Sequence, residues 1–210
     1  MPRQPRLLLS QSYYHIMTRG NNRNIIFKEK EDYVFYLSLI SKYKKEHSFD
    51  LYHYCLMPNH IHLLIQTNKA TDFPIFMKKL NLAYHYYFKK KYGWTGYLWQ
   101  GRFKSKPVGK DEYFIQCGKY IELNPTRANI TKDPQEYLYS SYNYYSQGRE
   151  DELTTDNFYY EELGKDNKER QLNYQNLLID KIIKRTYNKE IWGSDSQRYK
   201  EKRKIKRRIN

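Results

Sequence analysis

The sequence has few cysteines, glycines and prolines and no long hydrophobic run. Its two cysteines, Cys55 and Cys117, exclude a disulfide framework and a cysteine-rich metal site, and they suit a reducing compartment. No apolar run reaches the ~20 residues of a membrane-spanning helix. The mean hydropathy is −1.01, and the apolar stretch at residues 7–9 is too short for a secretory signal. We therefore expect a cytoplasmic protein without membrane association.

Acidic residues are also scarce relative to basic ones. The chain holds 38 Lys and Arg against 23 Asp and Glu, a formal net charge of +15, together with 24 Tyr. Two explanations stay open: a polyanionic partner such as nucleic acid, or the codon usage of an A/T-rich genome. Residues 198–208 hold eight basic residues and one acid, a net of +7, so +8 of the excess lies elsewhere.

Hydrophobic periodicity predicts alternating strands and helices. Strands are predicted at 13–19, 51–57 and 60–67 with one or two short ones within 97–108, and helices at 28–46, 71–93 and 111–123. The order βαββαβ, followed by a third helix, predicts an α+β, ferredoxin-like fold in which helices lie on one face of an antiparallel sheet.

Composition divides the chain near residue 145. We expect one domain at 1–145 and a C-terminal extension at 146–210. The extension begins with an acidic connector and ends in the basic tail. Between them, apolar residues from Leu172 to Ile183 fall at helical spacing and predict an amphipathic helix.

The segment 60–65 (HIHLLI) carries the strongest chemical signal. Because side chains alternate along a strand, His60 and His62 share one face, while the apolar residues between them can anchor the opposite face on the helices. We expect the two imidazoles to lie on the open face, where a metal and a substrate can reach them. The competing interpretation is an ordinary pair of polar residues on a half-solvated sheet. His53 lies on the same hairpin, but no second histidine follows it at the two-residue spacing that relates His60 to His62.

The third predicted helix carries a second candidate. Tyr113, Gln116, Tyr120 and Asn124 follow one another at helical spacing on one face. Tyr120 and Asn124 are one turn apart, so a nucleophile and a metal-directed carbonyl oxygen could converge on the same phosphate. The alternatives are packing for the tyrosines and a helix-end cap for Asn124, which precedes a proline.

Four segments occur in order within residues 12–145: 14–21 (YHIMTRGN), 57–64 (MPNHIHLL), 99–105 (WQGRFKS) and 119–128 (KYIELNPTRA). This combination resembles the single-tyrosine HUH transposases, in the branch associated with repetitive extragenic palindromes (REP). The resemblance implies a ferredoxin-like fold, a divalent metal held by His60, His62 and Asn124, and Tyr120 as the nucleophile. It also implies cleavage and rejoining of hairpin-bearing single-stranded DNA through a 5′-phosphotyrosine. The metal would be Mg²⁺ or Mn²⁺, because imidazole and carboxamide ligands do not favour Mg²⁺ alone.

Basic and aromatic residues near these segments are candidates for DNA binding. Phosphate contacts are predicted for Arg19, Arg23, Arg102 and Lys104, and stacking on unpaired bases for Trp94, Tyr97 and Trp99. Plain coverage of the surface is the competing interpretation for each of them.

Other functions remain open at this stage. The same fold could bind hairpin DNA or RNA without cutting it, or His60 and His62 could hold the zinc of a hydrolase. A domesticated transposase that has lost mobility would keep the same motifs. The DNA target, the metal used in the cell and the choice between monomer and homodimer are not settled by the sequence.

Overall fold

The computed structural model describes residues 10–47, 49–67, 69, 72–109 and 112–177. Its strands are β1 (Tyr13–Arg19), β2 (Phe49–Met57), β3 (His60–Thr67) and β4 (Lys104–Val108). Its helices are α1 (Lys30–Glu46), α2 (Asp72–Tyr92), α3 (Glu112–Glu122), α4 (Asn124–Arg127), α5 (Tyr142–Gln147), α6 (Phe158–Glu161) and α7 (Asn167–Asn176). Short 3-10 turns occur at Asn21–Arg23 and Pro134–Glu136.

The four strands form one sheet in the order β2-β3-β1-β4, and every neighbouring pair is antiparallel. This is the strand order of a ferredoxin-like fold, so the predicted α+β class is confirmed. The turn at Pro58-Asn59 joins β2 to β3 and sets their register. In that register His60 lies opposite Arg19 of β1, and His62 lies opposite Met17 of β1 and Cys55 of β2.

One face of the sheet packs on α1 and α2 through a continuous apolar cluster. Ile16, Tyr54 and Leu63 come from the strands, and Leu80 and Tyr84 come from α2. A reciprocal capping box between Glu29 and Asp32 starts α1 and satisfies two backbone N–H groups that its first turn leaves without partners. Both helices end in lysines, which suit the negative end of the helix dipole.

The other face of the sheet is covered by α3. Phe114 of α3 meets Tyr13 and Tyr52 edge to face, and Gly118 of α3 lies against the ring of His53. The expectation that His60 and His62 lie on an open face is wrong for His62, which is buried under this layer. His15 and His53 are buried there too, whereas His60 is half-buried. Periodicity predicts which residues of a strand share a face but not which later helix covers that face.

Residues 148–177 pack on α3 and α5 rather than extending from them. Leu153, Asn157 and Tyr174 are buried, and the compact unit of the chain runs through Leu177. The division at residue 145 stays a prediction, and Ile183 and the basic tail lie outside the described residues. Within the described part of the chain, no helix is long and apolar enough to cross a membrane.

Candidate active site

His60 and His62 lie next to each other at the start of β3, a central strand of the sheet, with ring centroids 4.9 Å apart. Burial, and then the charge of Arg19, lower the pKa of His60 to about 3. Burial also lowers the pKa of His62 well below its usual range. Both rings are therefore neutral at physiological pH, which is the form of imidazole that binds metals. His60 Nδ1 is 2.6 Å from Asn59 Oδ1, so it carries the proton and Nε2 is left as the ligand atom.

A third histidine joins this pair. His15 Nε2 lies 2.9 Å from His62 Nδ1, and the two rings stack with centroids 5.1 Å apart. Burial, and then the charge of Lys106, lower the pKa of His15 to about 3, so one neutral ring donates to the other. When His62 is the donor, its Nε2 is free of a proton and can act as a metal ligand. The tautomer of His62 is thus coupled to that of His15.

Tyr120 projects from α3 beneath Arg127. The guanidinium lies 4.3 Å from the centroid of the Tyr120 ring, and it also forms a hydrogen bond with the Tyr120 side chain. Burial raises the pKa of Tyr120, and this bond and the charge of Arg127 oppose the rise. The charge of Arg127 also contributes to the low pKa of His62. One arginine is thus close enough to act on both Tyr120 and His62.

Asn124 closes the end of α3. Its Nδ2 donates to the carbonyl oxygens of Tyr120 and Ile121 at 3.0 and 2.9 Å. The amide nitrogen therefore caps the helix end, as the alternative interpretation predicted. The atom that could bind a metal is Oδ1, and its use would not disturb the cap.

The available donors fit a weakly held divalent cation. Two neutral imidazoles and one amide oxygen give at most three protein ligands, and no three His, Cys, Asp or Glu side chains of the described residues are arranged so that they could hold a metal ion. Water or phosphate oxygens would have to complete the coordination of Mg²⁺ or Mn²⁺.

Glu122 anchors the side of α3 that faces away from Tyr120. Its buried Oε1 accepts a hydrogen bond from Ser141 Oγ at 2.5 Å and lies 2.9 Å from His53 Nδ1. Its Oε2 accepts a hydrogen bond from the hydroxyl of Tyr174 in α7. The carboxylate therefore joins the helix that carries Tyr120 to β2, to the start of α5 and to α7.

Lys119 makes a second connection from α3 to α7. Its Nζ donates to the carbonyl oxygen of Gln175 at 2.7 Å and to that of Tyr174. A lysine suits these carbonyls because they belong to the last turn of α7, the negative end of its dipole. Residues on both sides of Tyr120 in the sequence are thus held by α7.

Residues 8–124 match the family model described as IS200-like transposase, which covers more than half of the 210 residues. The chain belongs to the IS200-like transposase family. As a member of a transposase family it acts on DNA. No curated protein matches the sequence.

Two solved structures resemble this IS200-like transposase. A REP-associated tyrosine transposase bound to a REP hairpin superimposes with a TM-score of 0.59 at 17% identity, over 75% of this chain and 93% of the other. A protein of Deinococcus radiodurans R1, whose description as a transposase is provisional, gives a TM-score of 0.41 at 18% identity, over 62% and 94%. The first comparison shows a shared fold, whereas the second has too low a score to carry an argument.

Of the residues predicted to contact phosphates, some lie near the histidine pair and others do not. Arg19 Nε donates to Gln100 Oε1 at 2.6 Å, beside His60. Lys104 is exposed and lies opposite Met17, on the same face of the sheet as His62. Arg102 is also exposed, but it precedes β4, and Arg23 is half-buried in the turn after β1.

Trp99 has a structural role in the described fold. Its Nε1 donates to the carbonyl oxygen of Asn81 at 2.8 Å, and its ring contacts Tyr36 and Tyr84 in the core. Its stacking on DNA bases stays a prediction. A base that stacked there would contact an indole ring already held in place by Asn81, Tyr36 and Tyr84.

Sequence reasoning did not select His15, Arg127 or Lys106. Strand alternation could have found His15, because β1 and β3 were both predicted and an antiparallel register brings their histidines to one face. Arg127 lies seven residues after Tyr120, a spacing that returns to the same side of a helix. Lys106 follows Lys104 by two residues, so alternation places it on the same face of β4.

Proposed function

We propose that this transposase is a metal-dependent endonuclease that cleaves and rejoins hairpin-bearing, REP-like single-stranded DNA through a 5′-phosphotyrosine on Tyr120. The observation that carries the proposal is Arg127, which contacts Tyr120 and acts electrostatically on His62. The nucleophile and one neutral imidazole of the pair thus share a neighbouring cation that could also meet a phosphate. The fold shared with a REP-associated tyrosine transposase supports the DNA class.

In the proposed reaction Tyr120 is the nucleophile and Arg127 is the cation beside it. The phenol oxygen would attack phosphorus, the bond from phosphorus to the 3′ oxygen would break, and the strand would leave with a free 3′-hydroxyl. Because the new phosphodiester keeps its bond energy, a 3′-hydroxyl of another strand could reverse the step and regenerate tyrosine. Since burial raises the pKa of Tyr120, the phenol reaches this step protonated and must lose its proton as it attacks.

Neighbouring side chains would prepare the phosphate. Arg19 provides positive charge near His60, and Arg127 provides it near His62. His60, His62 and the Oδ1 of Asn124 would hold Mg²⁺ or Mn²⁺, which when bound neutralises charge on the scissile phosphate. Asn59 orients His60, and His15 forms a hydrogen bond with His62 that couples the tautomers of the two rings.

A binding-only function is the second candidate, and the burial of Tyr120 favours it. Only 3% of this side chain is exposed, which is little for a group that must reach a DNA strand. A protein of this kind would bind hairpin DNA equally well with and without a chelator and would form no covalent product.

The deciding experiment is to trap the covalent adduct. Wild-type protein, hairpin-bearing single-stranded DNA and Mn²⁺ or Mg²⁺ should give a protein–DNA species whose mass spectrum places the nucleotide on Tyr120. Tyr120→Phe should reduce the adduct by at least about 10³-fold, because no other group replaces the nucleophile. Tyr113→Phe on the same helix is the matched control and should retain it. An adduct that survives Tyr120→Phe would refute the proposed nucleophile.

A further inference from the structure

A groove separate from the histidine site lies between the exposed side of α2 and the irregular segment 93–103. Its volume is about 910 Å³, a size that holds about one or two nucleotides. Its base includes the buried Met77 and Phe103 and the half-buried Trp99, which the Asn81 carbonyl holds in place. The base of the groove is therefore set by the core and does not depend on a ligand.

The walls of this groove are apolar but open to solvent. Tyr97 is 84% exposed, Tyr86 is 61% exposed and Leu82 is 46% exposed. Large side chains left in water at one place mark a surface for interaction. Exposed aromatic faces suit unpaired bases, since each stacked base contributes ~1–3 kcal/mol whatever its sequence.

The charge around the groove selects a polyanion. Lys78, His85 and Arg102 line it, and none of the lining residues in the described chain is Asp or Glu. The basic run at residues 198–208 is a poor occupant, because like charges would meet. A second copy is disfavoured for the same reason, since a two-fold interface would set these cations against their own symmetry mates.

The segment that lines the groove is hydrogen-bonded to the end of β1, the strand that also borders the histidine pair. Gly20 forms a bridge with Trp99, Asn21 N donates to the Leu98 carbonyl at 2.7 Å, and Gln100 N donates to the Arg19 carbonyl at 2.8 Å. Arg19 lies opposite His60 in the sheet. The end of β1 thus borders the histidine pair through Arg19 and the lining of the groove through Gly20 and Asn21.

The geometry points to this groove as a base-binding subsite, where unpaired nucleotides beside the cleaved phosphate stack on Tyr97 and Tyr86 while Lys78 and Arg102 contact their phosphates. The inference rests on the proposed function in that it requires a single-stranded DNA substrate. It adds a location for the unpaired flank and a reason for the exposure of Tyr86 and Tyr97.

The test compares two hairpin probes, one with a normal unpaired flank and one whose flank is abasic but keeps its phosphates. By fluorescence anisotropy, the wild type should bind the normal flank more tightly. The double substitution Tyr86→Ala with Tyr97→Ala should weaken that binding roughly 10- to 100-fold and leave the abasic probe unchanged. Tyr97→Phe should retain binding, because stacking does not need the hydroxyl. Phe158→Ala removes an aromatic residue that is 65% exposed on α6 and is the matched control.

Three outcomes would overturn the subsite. The double variant could bind the normal probe as tightly as the wild type does, or it could bind both probes equally more weakly. It could also keep its DNA affinity but differ from the wild type in molecular mass measured by light scattering. The last would show that a protein covers this face. The two proposals fail separately. If the wild type forms no adduct yet discriminates between the probes through Tyr86 and Tyr97, the catalytic proposal fails alone; an adduct without that discrimination refutes only the subsite.

Discussion

The two faces of the sheet are packed by different chemistry. The face under α1 and α2 is closed by an apolar cluster that includes Ile16, Leu63 and Leu80. The face under α3 buries three histidines together with Glu122 and Ser141. Apolar contacts are non-directional, so the first face fixes the fold but tolerates changes of shape. Buried polar groups need partners at defined angles, so the second face fixes the position of α3 and of Tyr120.

Removing the Glu122 carboxylate should have the largest effect on stability. Glu122→Ala takes an acceptor from His53, Ser141 and Tyr174 at once and should lower the free energy of unfolding by about 3–5 kcal/mol. Urea denaturation measures this directly. Phe76→Ala on the apolar face should cost a similar amount through its cavity, so truncation alone does not separate the two faces.

Conservative substitutions should distinguish the polar face from the apolar face by their cost in stability. Glu122→Gln keeps the shape but puts an amide N–H₂ where an oxygen accepts, and it should cost about 1–3 kcal/mol. Leu80→Met is the matched change on the apolar face and should cost less than about 1.5 kcal/mol. If Glu122→Gln proved no more destabilising than Leu80→Met, the contrast between the faces would be wrong.

Gly118 offers a test of intermediate size. A Cβ at this position would lie 2.3 Å from His53 Nε2, so Gly118→Ala should destabilise the protein by about 1–3 kcal/mol. This reverses the usual preference for Ala over Gly inside a helix, which is about 1 kcal/mol.

The control for Gly118 is a double-mutant cycle. In a His53→Ala background the space is open, so adding Gly118→Ala should be neutral or stabilising in the same urea assay. If Gly118→Ala changed the free energy of unfolding by the same amount in both backgrounds, His53 would not be the group that excludes a side chain at this position.

The same contrast explains how much could be predicted. The bounds of β1 and β3 were predicted correctly, because Gly20-Asn21 and Pro58-Asn59 mark their ends and their apolar residues alternate. Of the one or two short strands expected within 97–108, one forms, and it begins at Lys104. Gly96 and Gly101, with φ of 82° and 73°, place turns on both sides of the Gly20–Trp99 bridge, so regular pairing with β1 begins only after them.

Local patterns predicted the pairing of His60 and His62 because it depends only on strand alternation. They did not predict the buried polar layer. His53 and Glu122 are 69 residues apart, and a register shift between Leu51 and His53 turns Tyr52 and His53 toward the same ring of α3. Contacts of this kind follow from how α3 packs on the sheet, which no spacing within one element encodes.

The smallest predicted effect is a pH dependence at Lys119. Burial lowers the pKa of its ammonium to about 8 from an ordinary value of 10.5, and Glu122 opposes the shift. Between those pH values the unfolded chain binds more protons than the folded one, so the contribution of Lys119 to the free energy of unfolding rises with pH across this interval. It is complete above the unfolded pKa and is lost as pH falls toward the folded one.

Urea denaturation of wild type and Lys119→Met should show this difference. From about pH 8 to about pH 9.5, the stability of the wild type relative to the variant should increase by a few tenths of a kcal/mol per pH unit, because solvent screening reduces the full linkage value. The exposed Lys132 is the matched control, and Lys132→Met should run parallel to the wild type. A difference that stays constant or shrinks as pH rises would show that α7 does not hold Lys119 in a buried state, and α3 would then depend on Glu122 alone for its connection to α7.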